Sequence, residues 1–171
     1  MKYALKYYIC LLSALTTWGF TIDLARANLF ELSNYEAIFN LRIKIRNSGN
    51  SLAAFIRETP LNTGETDCLL RIGADLEGFD GQLNLVGVLV GLNARMLDPR
   101  DEHLVTLFAS TEVPNFLKGL EYSRSTTNVS LARCSNSESV ATKGKEVLSL
   151  YDEAASVVEP LVQTINKIAP R

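Results

Sequence analysis

The side chains of this chain that could do chemistry are few. A single histidine, His103, follows Asp101 and Glu102. A haem or di-iron centre in a helical protein draws on several imidazoles, commonly in a Glu-x-x-His spacing on facing helices. One histidine does not supply that, and no zinc-ligand spacing, phosphate-binding loop or Gly-x-Ser-x-Gly elbow occurs. No cofactor and no metal are expected, and His103 reads as an exposed residue in the first turn of a helix. Carboxylates are plentiful, but Asp75, Glu77 and Asp80, like Asp152 with Glu153, are placed as on the solvated faces of helices. Paired acids for glycosidic chemistry would leave no clearer trace in one sequence. An active site needs convergent groups. None can be named, so the chain is not expected to be an enzyme.

The chemistry of the cysteines depends on the compartment, and residues 1–27 bear on that. Lys2 and Lys6 form a positive head, Tyr7 to Ile22 an apolar middle interrupted by Ser13, Thr16 and Thr17, and Ala25-Arg26-Ala27 a small-x-small cleavage pattern. A spanning helix wants about 20 mostly apolar residues, and this run stops short at Asp23. The segment reads as a secretory signal peptide, with residues 28–171 as one mature domain. Cys10 leaves with it. The expected localisation is secreted or periplasmic, with no stable membrane insertion after cleavage.

Cleavage also removes Lys2, Lys6, Arg26 and Asp23, so 17 basic and 19 acidic residues become 14 and 18, and the net charge moves from −2 to −4. A mildly acidic chain is a poor general binder of nucleic acid, which rewards a clustered basic excess. Cys68 and Cys134 are then the two remaining cysteines, in an oxidising compartment that favours their bonding. A redox role would call for a C-x-x-C spacing, which is absent.

The elements that must position these residues are helical. Val140, Gly144, Val147, Tyr151, Ala154, Val158, Leu161, Ile165 and Ile168 step by threes and fours. Ser135-Asn-Ser-Glu138 before them has the form of a capping box, and Pro160 predicts a kink. Leu69, Ile72, Leu76, Phe79, Leu83, Val86, Val90 and Leu97 form a second seam, with Asn93 its one polar member. Asp98-Pro99 ends that helix and starts the next. The third segment carries Leu104, Leu107 and Phe108, then Phe116, Leu117, Leu120 and Leu131, with an interruption expected at Pro114 and weaker helical character toward Cys134. "FNLRIKIRN" alternates like a strand, but Ile38, Leu41, Ile45, Leu52 and Phe55 share one helical face and no second strand-like run exists to pair with it.

The expected fold is therefore all-α, an up-down-up-down four-helix bundle with segments near 29–58, 66–97, 99–134 and 138–168, and "TPLNTGE" as its one long loop. Cys68 and Cys134 lie at similar distances either side of the Asp98-Pro99 turn, about 45 and 52 Å of helix at 1.5 Å per residue. A disulfide across the helix 2–helix 3 hairpin fits, and closing that loop stabilises by up to about 4 kcal/mol in the chain-entropy model.

Two features bear on function. Gly87 and Gly91 stand four apart in the uncharged "LVGVLVGLNA", where glycine costs a helix about 1 kcal/mol relative to alanine. Close approach of a neighbouring helix would offset this, the alternative being a cavity for an apolar ligand. In addition, Tyr35, Phe39, Arg42, Arg46 and Arg57 fall within one stripe of about 60° beside the core face of the first helix, at 100° per residue. Aromatics and arginines together dominate protein interfaces. The expectation is an exported, non-catalytic bundle that binds a protein partner, an acidic one, through this stripe as an inhibitor, immunity-type protein or accessory subunit. The alternative is a carrier or sensor holding a small apolar ligand in the bundle core. Asn128-Val-Ser also fits a glycosylation acceptor, usable in a eukaryotic host.

Overall fold

The computed structural model describes residues 29–95, 99–134 and 137–168, with the backbone alone at 99–102, 134 and 168. The expected signal peptide, Cys10, Leu97, Asp98, Ser135 and the side chains of Cys134 and Ile168 lie outside the described residues. Among those described the structure is all-helical: α1 Leu32–Glu58, α2 Thr63–Asn93, α3 Pro99–Cys134 and α4 Glu138–Ile168.

Each helix packs on its neighbour in the chain, and α1 also packs on α4, which closes a four-helix bundle. Neighbours run antiparallel. Methyl groups built at Gly91 and Gly73 of α2 would meet Tyr35 and Leu52 of α1. Asn93 and Cys68 of α2 touch Thr106 and Ser130 of α3. Arg124 of α3 pairs with Asp152 of α4, and Lys44 of α1 with Glu153. The seams read from periodicity form the core: Leu69 to Val90 on α2, Val140 to Ile165 on α4 and Ile38, Leu41, Ile45 and Leu52 on α1 are buried, with Phe55 packed at the edge.

Several boundaries and registers differ from expectation. Helix α2 starts at Thr63, inside the expected loop, because Asn62 and Glu65 form a reciprocal cap: the Asn62 side chain accepts from the Glu65 amide at 2.9 Å and Glu65 accepts from the Asn62 amide at 3.1 Å. At the start of α4 the Ser137 hydroxyl accepts from the Val140 amide at 3.4 Å; the Ser135–Glu138 box expected there falls on a residue outside those described.

Helix α3 is not interrupted at Pro114 and continues to Cys134. Proline removes one backbone hydrogen bond, but buried Val113 and Phe116 flank it and hold both halves on one core face. Towards the far end Thr126 bonds back to the Tyr122 carbonyl, and buried Thr127 donates to the Tyr151 hydroxyl at 3.5 Å. Continuity also sets the register of the first half. Val105, Ala109 and Val113 are buried while Leu104, Leu107 and Phe108 are exposed, the reverse of the expected face.

The one polar residue on the α2 seam has a definite role. Asn93 is fully buried, accepts from the Phe30 amide at 3.1 Å and donates to Thr106 at 3.1 Å. It ties the segment entering α1, the end of α2 and the start of α3 together, with the Phe30 ring buried beside them.

Candidate functional site: the α1–α2 face

The five residues of the expected stripe all lie along the edge of α1 that faces α2, but they do different things. Tyr35 is half-buried, stacks on Phe39 with ring centroids 6.3 Å apart, and carries the Arg95 guanidinium 5.2 Å from its own centroid. Phe39 is exposed. Arg42 is drawn inward: its Nε and Nη2 donate to the two carboxylate oxygens of Asp80 at 2.9 and 3.2 Å, and its Nη1 donates to the Asn84 side chain. Only 16% of its side chain is exposed, against 62% for Arg46, which reaches the same carboxylate at 3.0 Å. Arg57 is exposed and makes no ion pair among the described residues.

Asp80 is therefore not on a solvated face. Its side chain is 15% exposed and receives three hydrogen bonds from two guanidinium groups. Burial pushes its carboxyl upward, but the hydrogen bonds and charges of Arg42 and Arg46 outweigh that and leave it below the usual aspartate value. Asp152 and Glu153 do sit at the surface, where each holds a cross-helix ion pair.

Below the Asp80 cluster, α1 and α2 part to leave a trough of about 900 Å³. Its floor is made by Ile45, Leu52, Leu69 and Leu76, all buried. Its depth comes from small residues, Gly49 and Ala53 on α1 and Gly73 and Ala74 on α2. Arg46 and Arg57 stand on the α1 rim, Glu77 and Asp80 on the α2 rim. The sequence signal for this trough was present but divided. Gly49 looks like a weakness in α1, and Gly73 stands among larger residues, so nothing in the order of residues shows that the two line one trough.

Gly87 and Gly91 of α2 behave as close-packing residues. A methyl group at Gly87 would come within 3.1 Å of Ile38 Cγ2, and one at Gly91 within 2.8 Å of the Tyr35 ring. The space that a cavity would need at that level is filled by α1.

His103 is exposed. Among the described residues no cluster of three or more histidine, cysteine, aspartate or glutamate side chains could hold a metal ion, and no helix is long and apolar enough to cross a membrane. Comparison of the chain with protein-family models, with curated proteins and with solved structures found no match.

Proposed function

We propose that the protein is an exported, non-catalytic helical bundle that works by binding another protein through its α1–α2 face. The observation that carries this reading is the trough itself: an apolar depression at the surface, rimmed by arginines and carboxylates, beside an exposed aromatic. Interfaces combine such features, an anchoring depression with arginine and aromatic side chains around it. The alternative, an apolar ligand held inside the bundle, has less to support it, because the glycines that would make room for it are occupied by Ile38 and Tyr35.

Export rests on residues 1–27, read as a cleaved signal peptide, and places the protein outside the cytoplasm, in a periplasm or an extracellular space. In that compartment we expect Cys68 and Cys134 to be bonded. Cys68 is buried, with its sulfur 3.8 Å from the Ser130 carbonyl oxygen on α3, one helical turn before Cys134. Non-reducing peptide mapping should recover the 68–134 pair, and two free thiols in exported protein would contradict it.

Because Arg42 is committed to Asp80, the partner-facing test falls on Phe39 and Arg57. Phe39→Ala with Arg57→Glu should abolish capture of the native partner from the exported fraction, with helical signal and melting temperature unchanged. Capture that survives the double change removes this face from consideration.

A further inference from the structure

We infer that the α1–α2 trough is the seat of one amphipathic helix from the partner protein, about three turns long, with a carboxylate on the edge that lies along α1 and a cation on the edge that lies along α2. This rests on the reading above that α1–α2 is the working face, and it names what that face receives.

The first support is the unexplained glycine. A methyl group at Gly73 would sit 3.6 Å from Leu52 Cδ2, and one at Gly49 would sit 3.9 Å from Leu76 Cδ2, both ordinary contacts. Packing inside the chain therefore requires glycine at neither position, in contrast to Gly91. Alanine would also suit the helix better. What glycine provides at these two places is open depth between two helices, and small residues are what let a third helix approach closely. Ala53 and Ala74 extend the same low floor.

The second support is dimension. The trough is lined from Ile45 to Arg57 on α1 and from Leu69 to Asp80 on α2, which is about 18 Å at 1.5 Å per residue, three turns of helix. A convex ridge of side chains at i, i+3 or i+4 and i+7 fills such a depression. A second copy of this chain would bring one concave face against another and leave the depth empty. An acyl chain would lie in a channel open along its length, with charges on both rims.

The third support is charge. Of the four charged rim residues, Arg46 and Asp80 satisfy one another, while Arg57 and Glu77 have no ion pair among the described residues. They stand on opposite rims, Arg57 at the end of the trough near the α1–α2 connection and Glu77 nearer the Asp80 end. A helix lying lengthwise meets both if its carboxylate and its cation are on opposite edges, about two to three turns apart. Charge pairs of this kind fix orientation more than they add affinity.

The test uses the full exported chain in its own compartment, with a photoreactive amino acid placed in turn at Ala53 in the trough, Phe39 on the stripe and Val129 on α3. The adduct formed from Ala53 is mapped by mass spectrometry to a partner segment, which is then synthesised and its affinity measured. The expected result is an amphipathic helical segment whose binding is weakened at least tenfold by Ala53→Leu, an exposed position that leaves the core intact. Arg57→Glu should weaken it severalfold, and a peptide with lysine in place of its edge carboxylate should recover that loss. Protein adducts from Phe39 with none from Ala53 would overturn the helix seat while leaving the α1–α2 reading in place. Adducts from Val129 alone, or none to protein, would overturn both. An Ala53 adduct to a second copy, to lipid or to a non-helical segment would overturn the seat.

Discussion

The two halves of the α1–α2 seam use the same residue to opposite ends. In the upper half, glycines at 87 and 91 let Ile38 and Tyr35 press onto the α2 backbone. In the lower half, Gly49 and Gly73 line the trough, and methyl groups there would make only ordinary contacts with Leu76 and Leu52. The difference lies in what stands opposite. Ile38 and Tyr35 come within 3.1 and 2.8 Å of where a methyl group at Gly87 and Gly91 would sit, whereas Leu76 and Leu52 stand off at 3.9 and 3.6 Å from one at Gly49 and Gly73. Between the halves the Arg42–Asp80–Arg46 cluster joins the helices.

If that comparison is right, alanine should have opposite effects in the two halves. The largest effect is expected from Gly91→Leu, which has no room beside the Tyr35 ring and should cost at least the upper end of the roughly 1–3 kcal/mol typical of overpacking. Urea unfolding would measure it, and an unchanged midpoint would mean that the ring moves freely. Gly91→Ala should lower stability in the same direction by less.

Next comes the cluster between the halves. Asp80→Asn keeps the shape but loses the charge that two guanidinium groups bond, and should cost about 1.5–3 kcal/mol, the range for hydrogen bonds to charged groups. Its pH dependence has a definite sign. The folded carboxyl is depressed, so its contribution is fully present above the unfolded aspartate value, about 3.9, and is lost as pH falls through the lower folded value. The stability gap between wild type and Asp80→Asn should therefore be constant near neutrality and close in strong acid. A gap that stays open there would show that the cost is steric.

The smallest effect should be a gain. Gly73→Ala meets only an ordinary contact at 3.6 Å and should raise stability by up to about 1 kcal/mol through helix propensity. A loss would mean that the lower half is as tightly packed as the upper.

Most of the fold was legible because long helices repeat their signal. Nine core positions from Val140 to Ile168 on α4 follow one rule, and eight of them are buried, Ile168 lying outside the described side chains. The structure departs from the sequence pattern where continuity of a helix outweighs a local preference. Asn62 and Glu65 form a cap, but they stand among threonine, proline and glycine and look like loop. In α3, treating Pro114 as a break frees the first half to be scored by the size of its residues, which favours Leu104, Leu107 and Phe108. Counting back from Leu120 and Phe116 through the proline in steps of three and four gives Val113, Ala109 and Val105, the residues that are buried. The stripe on α1 was visible from spacing, but the commitment of Arg42 was not. Its partner is 38 positions away, and no periodicity within one helix reports which side chain of a neighbour comes level with it.

The Asn93 junction bears on kinetics as well as on architecture. The Phe30 amide belongs to no helix, yet its hydrogen is held by a buried side chain and its ring is enclosed. In deuterium exchange it should behave as a core amide rather than as a terminal one, releasing its hydrogen only when that end of the bundle opens. It is thus a single-site reporter of opening at the end opposite the two cysteines. Asn93→Ala should bring its exchange to the rate of free peptide while leaving the centre of α4 protected, and equal acceleration at both places would mean that the bundle opens as one unit.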